Sequence, residues 1–256
     1  MDRTALVTGA SSGLGAAFAR RLAAAGWDLI LVARRTERLE QLAAELKKAH
    51  GAVVRVVTAD LVQDADVQRL EAVIRETPAL ELLVNNAGFG TGGTFMNVPL
   101  EMHLAMHAVH MRAPVRLTRA AVEVMLPRGK GGVINVASVA AFLTIAGSVT
   151  YSATKSFLLV FSRTLNREVK RRGLTVQALC PGFMVTEFHD PAELEETRRW
   201  GIPPWLWLKP EKVVHSSLAA LAKRRSLCVP GLIYKFAAVL GRLGVLDILA
   251  RAARPN

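Results

Sequence analysis

Residues 4–15, TALVTGASSGLG, carry a short apolar run directly into a glycine-rich turn. The alanine-rich stretch 16–25 follows, and Gly26 after it is typical of a helix C-cap. Strand, glycine turn and helix in this order form a cradle for phosphate, because glycine lets the backbone approach closely and the helix N-terminus offers free N–H groups. The spacing is Gly-x3-Gly-x-Gly rather than G-x-G-x-x-G. The expected binding residues are Gly9, Ser11, Ser12, Gly13, Leu14 and Gly15.

Apolar runs and helical stretches alternate along the rest of the chain. Further strands are predicted at 28–33, 53–58, 81–84, 132–138, 175–180 and 227–231. Helices are predicted at 37–50, 64–77, 100–126, 150–172 and 209–225, and Pro114 predicts a kink or an early break in the helix at 100–126. Because no repeat or linker divides the chain, we expect one domain over 1–256. Its fold class is α/β, a doubly wound parallel seven-stranded sheet flanked by helices on both faces.

Two arginines, Arg34 and Arg35, follow the second predicted strand. In a dinucleotide-binding fold the end of this strand meets the adenosine ribose. An acidic residue there favours NAD, whereas guanidinium groups suit a 2′-phosphate. We therefore expect both arginines to bind the cofactor and NADP(H) to be preferred over NAD(H). The alternative is that they are only solvated residues at a helix start.

Composition excludes several other classes of protein. With 51% hydrophobic and 21% charged residues, the 256-residue chain is typical of a globular protein. Its two cysteines, Cys180 and Cys228, make neither a disulfide framework nor a zinc motif. The first apolar run is too short for a signal peptide, and no stretch is long enough to span a membrane, so a cytoplasmic location is expected. The net charge of +12 is spread along the chain without a nucleic-acid-binding motif, so no nucleic acid is expected as a partner.

Three residues predict acid–base chemistry at one edge of the sheet. Tyr151 and Lys155 are four residues apart on a predicted helix and share a face. A cation ~4 Å from a phenol at an effective dielectric of ~20 interacts by ~4 kcal/mol, which lowers the phenol pKa by ~2–3 pH units into the range of a general acid–base. Ser138 brings a hydroxyl to the carboxyl end of the fifth strand, where parallel sheets bind ligands. The pair alone is weak evidence, since this spacing also occurs on solvated helix faces.

Taken together, five motifs in order resemble the compact branch of the short-chain dehydrogenase/reductase family over residues 4–186: Thr8-Gly9-x3-Gly13-x-Gly15, Asn85-Asn86-Ala87-Gly88, Ser138, Tyr151-x3-Lys155 and Pro181-Gly182. The resemblance implies a Rossmann-type fold, with Tyr151 as proton donor, Ser138 holding the substrate oxygen and Lys155 on the nicotinamide ribose. A homo-oligomer is expected from the resemblance alone. The remaining cofactor contacts that it implies are Asp60, Leu61, Asn86, Ala87, Gly88, Tyr151, Lys155, Pro181, Gly182 and Thr186.

The resemblance has one departure, at His110. Family members often place a relay asparagine there, which is assigned to a helix distortion and to a water that links the lysine to solvent. We therefore include His110 among the catalytic candidates, where an imidazole either joins the proton path or blocks the water. His103, His107 and His110 share one helical face, which permits metal ligation. The proposed chemistry needs no metal, so none is expected.

Residues 184–209 are expected to form a substrate lid, as in the family. The segment holds three of the four tryptophans of the chain. Aromatic lid residues, with Phe142, Leu143 and Ile145 after Ser138, suit an apolar ligand. The expected substrate is a hydrophobic ketone, aldehyde or alcohol of the fatty-acyl, steroid-like, retinoid-like or aromatic kind. The alternative is that these aromatic residues pack on the body or on another subunit.

The tail, residues 231–251, carries an apolar stripe at helical spacing. The stripe could pack in the core or contact another subunit. It could also lie on an acidic membrane surface, since basic residues lie nearby. Its members are Leu232, Phe236, Val239, Leu243, Leu246 and Ala250.

The leading hypothesis for function is an NADPH-linked oxidoreductase with Tyr151 as general acid–base. Two alternatives are a non-catalytic NADP(H)-binding redox sensor and a peripheral membrane protein whose tail matters more than its chemistry.

Overall fold

Seven parallel strands form one sheet in the computed structural model, which describes residues 3–184 and 203–243. The strands are β1 Thr4–Thr8, β2 Asp28–Ala33, β3 Val54–Thr58, β4 Leu80–Asn85, β5 Gly131–Val136, β6 Leu174–Leu179 and β7 Leu227–Cys228. Their order is β3-β2-β1-β4-β5-β6-β7, which confirms the predicted seven-stranded sheet. The order reverses between β1 and β4, so the carboxyl ends of these two strands border the crevice where such sheets bind ligands.

Helices cover both faces of the sheet, as predicted. The helices are α1 Gly13–Ala23, α2 Thr36–His50, α3 Asp64–Arg75, α4 Leu100–His107, α5 Ala113–Met125, α6 Val149–Val169, α7 Pro210–Ala222 and α8 Leu232–Arg242. Alternate strand residues point to opposite faces, so Ala5 and Val7 pack under α1, α2 and α7, whereas Leu6 packs under α3 and α5. Helix α1 begins at Gly13 rather than at Ala16, because glycines in a first helical turn are set by tertiary packing and not by helix propensity.

The predicted long helix is interrupted. A π-helical turn, Ala108–Arg112, separates α4 from α5. Pro114 has no N–H and its ring would clash with the carbonyl of His110, four residues earlier. A wider turn just before the proline relieves this clash, and such π turns are frequent at functional sites. The π turn thus interrupts the long helix close to where Pro114 predicted a kink or an early break.

The tail forms α8, and its predicted apolar stripe faces outward. Leu232 is 73% exposed, Phe236 69% and Leu243 68%, while Tyr234 and Ala238 are buried. The prediction that the stripe packs in the core is therefore wrong for these residues, whereas contact of the stripe with a subunit or a membrane stays a prediction. Leu246 and Ala250 lie outside the described residues. No helix in the described part of the chain is long and apolar enough to cross a membrane.

Most of the predicted lid, residues 185–202 with Trp200 and Thr186, also lies outside the described residues. At its two ends, Met184 pairs with Leu208 in a single parallel bridge. Trp207 packs against Phe183, with ring centroids 5.8 Å apart, as the body-packing alternative predicted. Trp205 is 67% exposed.

Candidate active site

The glycine turn after β1 leaves no room for a side chain at Gly9 or Gly15. A Cβ on Gly15 would lie 2.2 Å from Gly9 O and 2.6 Å from Asn86 Nδ2. Gly9 has a φ of 66°, which favours glycine. The first N–H groups of α1 have no intrahelical acceptor, and the Ser12 side chain does not cap them. This bare backbone at a helix N-terminus fits a pyrophosphate.

Arg35 explains why the serine hydroxyls of the turn do not cap the helix. Its guanidinium donates to Ser12 Oγ at 2.8 Å and to Ser11 Oγ at 3.2 Å. Arg34 is exposed, and within residues 3–184 and 203–243 its side chain makes no hydrogen bond or ion pair. Arg35 therefore reaches across the glycine turn, and Arg34 is the exposed residue directly before Arg35.

Polar side chains connect, by hydrogen bonds, the strand ends that border the crevice. Thr8 Oγ1 accepts from the backbone N–H groups of Asn86 and Ala87, each at 3.0 Å, and Asn86 Nδ2 donates to Thr8 O at 2.9 Å. Asn85 donates to Asn135 Oδ1 at 2.8 Å. The two amides thus hold β1, β4 and β5 together.

The loop after β3 is held by its own acidic residues. The Asp60 carboxylate accepts from Val62 N–H at 3.1 Å, while the Asp60 N–H donates to Asp66 Oδ2 at 2.7 Å. Leu61 is buried behind the loop. This arrangement places Asp60 at the carboxyl edge of the sheet, directly after β3.

The three predicted catalytic side chains meet at the carboxyl end of β5. The hydroxyls of Ser138 and Tyr151 are hydrogen-bonded to each other. Ser138 Oγ also accepts from the Ala140 N–H at 3.1 Å, which leaves its own proton available for donation. Lys155 is buried, donates to Val136 O at 3.0 Å and has its Nζ 5.5 Å from the centroid of the Tyr151 ring.

The prediction that Lys155 lowers the pKa of Tyr151 is wrong. Burial raises the pKa of Tyr151, and only the hydrogen bond with Ser138 opposes this. Burial also lowers the pKa of Lys155 to about 8. The sequence argument took the ammonium to lie beside the phenol oxygen, whereas it lies over the ring and bonds a backbone carbonyl. Desolvation, which the sequence spacing does not show, dominates.

His110 lies in the π turn against the catalytic helix. Its ring packs edge-on to Tyr151, with centroids 5.9 Å apart, and it is fully buried. His103 is also buried, with its two ring nitrogens 2.7 Å from Thr150 Oγ1 and 3.2 Å from Phe95 O. His107 is exposed. In the described ranges no three His, Cys, Asp or Glu side chains are grouped to hold a metal.

The Pro181-Gly182 segment closes the crevice against the tail helix. Pro181 O accepts from the Val139 N–H at 2.9 Å. A Cβ on Gly182 would lie 2.0 Å from the Tyr234 ring, and the Tyr234 hydroxyl accepts from Phe183 N–H at 3.2 Å. Glycine is therefore required where α8 packs behind the site. Thr186 lies outside the described residues.

Three residues of the site were missed by the sequence analysis. Cys180 is fully buried and interacts electrostatically with Tyr151 and Lys155. Its only sequence signal was its place directly before Pro181-Gly182. Thr154, which binds His110, and Tyr234 had no signal, because both depend on contacts between segments far apart in the chain.

Comparison with known proteins agrees with this geometry. The family model for short chain dehydrogenases matches residues 3–197. A very-long-chain 3-oxoacyl-CoA reductase from Anas platyrhynchos is 34% identical over 188 residues, which are 72% of this chain and 60% of that protein's length.

Two solved structures are similar over nearly the whole chain. A short-chain dehydrogenase from Sphingobium yanoikuyae in complex with NADPH has a TM-score of 0.83 and 33% identity, and covers 99% of this chain and 98% of its own. A bulky-bulky ketone specific alcohol dehydrogenase from Comamonas testosteroni has a TM-score of 0.81 and 30% identity, and covers 99% and 97%. With its Rossmann-type sheet and its dehydrogenase motifs, this chain belongs to the short-chain dehydrogenase/reductase family of oxidoreductases.

Proposed function

We propose that this protein is an NADPH-linked oxidoreductase that interconverts a hydrophobic ketone or aldehyde and the corresponding alcohol. The observation that carries the proposal is the meeting of Ser138, Tyr151 and Lys155 at the carboxyl end of β5, with Lys155 Nζ 5.5 Å from the centroid of the Tyr151 ring and 3.0 Å from Val136 O. Two hydroxyl donors beside a cation suit the negative charge that develops on a carbonyl oxygen during reduction.

Each of the three side chains has a separate task in this reaction. Bound NADPH supplies the hydride to the carbonyl carbon. Ser138 donates a hydrogen bond to the carbonyl oxygen and Tyr151 transfers its proton to the same atom. Because burial keeps Tyr151 protonated at neutral pH, the enzyme begins each reduction with the proton in place. The Lys155 ammonium then stabilises the phenolate that the transfer leaves behind.

The cofactor preference rests on the two arginines. Arg35 is hydrogen-bonded to both serines of the glycine turn, and Arg34 is exposed beside it without a side-chain partner in the described segments. A 2′-phosphate on the adenosine ribose would meet two guanidinium groups, whereas a free hydroxyl would gain little from them. The NADPH-bound relative from Sphingobium yanoikuyae supports the same preference.

We expect Arg34→Ala to raise the dissociation constant for NADPH by about ten-fold, since a hydrogen bond to a charged group contributes about 1.5–3 kcal/mol. The constant for NADH should change by less than about two-fold, because NADH lacks the phosphate. Titration of cofactor fluorescence against wild type, Arg34→Ala and Arg35→Ala measures both. Arg55→Ala, an exposed arginine change on β3, is the matched control. Equal losses for NADPH and NADH would contradict the assignment.

The substrate class is inferred from the apolar residues that follow Ser138. Phe142 is buried in the core, Leu143 is half-buried, and Ile145 is 46% exposed, as is expected of a residue at a pocket rim. The similar proteins include a very-long-chain 3-oxoacyl-CoA reductase and an alcohol dehydrogenase for bulky ketones. A fatty-acyl, steroid-like, retinoid-like or aromatic carbonyl fits these observations. A homo-oligomer is part of the proposal, supported by the exposed apolar face of α8.

A panel of carbonyls and alcohols, assayed with NADPH and with NADH by the absorbance of the reduced nicotinamide, tests the function. We expect turnover with bulky apolar ketones and NADPH, and little with short polar ones. Stoichiometric NADPH binding without oxidation by any member of the panel would favour a redox sensor instead.

A further inference from the structure

One imidazole joins two segments that border the site. The backbone N–H of Phe89, in the loop after β4, donates to His110 Nε2 at 3.1 Å. On the other side of the ring, His110 Nδ1 lies 3.0 Å from Thr154 Oγ1 on the catalytic helix α6. His110 is fully buried, so both contacts form away from water. The loop and the helix are thus tied through this single side chain.

These contacts determine which nitrogen carries the proton. Phe89 is a backbone donor, so Nε2 must accept and carries no hydrogen. Thr154 donates its own hydroxyl proton to Tyr151 O at 2.9 Å, so toward the imidazole it can only accept. The hydrogen therefore sits on Nδ1, and a second proton on Nε2 would oppose the Phe89 N–H. The two contacts are satisfied together by the neutral Nδ1–H form alone.

The imidazole also sets a spacing within the site. A Cβ on Gly88 would lie 2.8 Å from His110 Nε2 and 3.4 Å from Lys155 Nζ. The ring packs on Tyr151 as well. A shift of His110 would therefore move the Gly88–Phe89 loop relative to both Tyr151 and Lys155. The π turn is what directs this side chain into the gap between them.

We propose that His110 is a positioning residue, held in the neutral Nδ1–H form, that spaces the Gly88–Phe89 loop from the Tyr151–Lys155 helix and passes no proton to Tyr151. The inference rests on the proposed function, whose site it deepens. Electrostatics act in the same direction. Burial, then Lys155 across on α6 and His107 on its own helix, lower the pKa of His110 well below its ordinary value.

Three substitutions separate the two hydrogen bonds. In His110→Asn the side-chain amide takes the place of Nδ1 and keeps the donor to Thr154, but no acceptor reaches Phe89. In His110→Gln the longer amide reaches the place of Nε2 and keeps the acceptor for Phe89. His110→Ala removes both. His107→Ala, an exposed histidine change on the same helix, is the control for loss of an imidazole as such.

For turnover, we expect kcat of His110→Ala to fall about ten- to hundred-fold, the effect of a small misplacement of reacting groups. The KM for the carbonyl should change by less than about three-fold, since substrate contacts are untouched. His110→Asn and His110→Gln should lose less, and His107→Ala nothing measurable. The pH profile of kcat/KM between about pH 5 and 8 should keep its shape in every variant, because a neutral imidazole that passes no proton to Tyr151 adds no ionisation to the profile.

An NMR measurement determines which nitrogen of His110 carries the proton, independently of turnover. Imidazole nitrogen shifts, assigned by the signals lost in His110→Gln, should show Nδ1 protonated and Nε2 bare across the same pH range. The Phe89 amide should be protected from hydrogen exchange in wild type and His110→Gln and exchange faster in His110→Ala. Titration of His110 in this range, or an acid limb of kcat/KM that disappears in His110→Ala, would overturn the proposal. Absence of any carbonyl turnover would sink the proposed function only, since the spectrum still reports on His110.

Discussion

Tyr151→Phe lowers kcat by about a thousand-fold or more while the dissociation constant for NADPH stays within about two-fold of wild type, if Tyr151 is the proton donor. General acid catalysis contributes about 10²–10⁴ to rate, and here the same hydroxyl also stabilises the developing charge, which adds to the loss. Phenylalanine keeps the ring that packs on His110 and removes only the oxygen that bonds Ser138. Single-turnover oxidation of bound NADPH measures the chemical step, and a fluorescence titration measures binding.

The only other tyrosine of the chain provides a matched control. Tyr234→Phe removes a hydroxyl that accepts from Phe183 N–H and donates to Leu206 O at 2.6 Å. This change should lower the free energy of unfolding by about 1 kcal/mol, the ordinary net contribution of a hydrogen bond, while kcat stays within about ten-fold. Turnover that survives Tyr151→Phe would remove Tyr151 as the acid, whatever the control does.

Gly15→Ala is expected to prevent cofactor binding. The added Cβ would lie 2.2 Å from Gly9 O and 2.6 Å from Asn86 Nδ2, and the nearer atom is backbone that cannot rotate away. Overpacking of this kind costs about 1–3 kcal/mol or more, and here the displaced backbone is the phosphate cradle itself. We expect the dissociation constant for NADPH to rise by at least about a hundred-fold, and the thermal midpoint to fall.

Gly51→Ala tests whether the loss of NADPH binding is specific to a substitution in the glycine turn. Gly51 ends α2 with a φ of 66° and has nothing within 4 Å of an added Cβ. Alanine there costs about 1 kcal/mol of backbone strain and should leave the dissociation constant for NADPH unchanged. Wild-type NADPH binding by Gly15→Ala would show that the glycine turn is only a tight connection between strand and helix.

Local patterns predicted most of the sheet. Strand β2 was predicted at its observed bounds because an uninterrupted apolar run between polar residues has one simple interpretation. The long helix was predicted to be disturbed near Pro114, since a missing N–H is a local property of the residue. The sequence left open whether the stripe of α8 packs in the core or faces outward. The packing of α8 depends on Gly241, where a Cβ would lie 2.2 Å from Phe142 O, so the absence of a side chain is what lets the helix approach.

The amino-acid sequence alone established the order of the motifs and the chemistry of their residues. The glycine cradle, the two arginines after β2 and the three side chains Ser138, Tyr151 and Lys155 could be named from it, because each motif depends on neighbours within a few positions. The direction of the Tyr151 pKa, the tautomer of His110 and the partnership of Gly182 with Tyr234 emerged only with the folded chain. Desolvation, hydrogen-bond direction and steric fit each depend on atoms that folding brings together from distant segments, and no local pattern records those atoms.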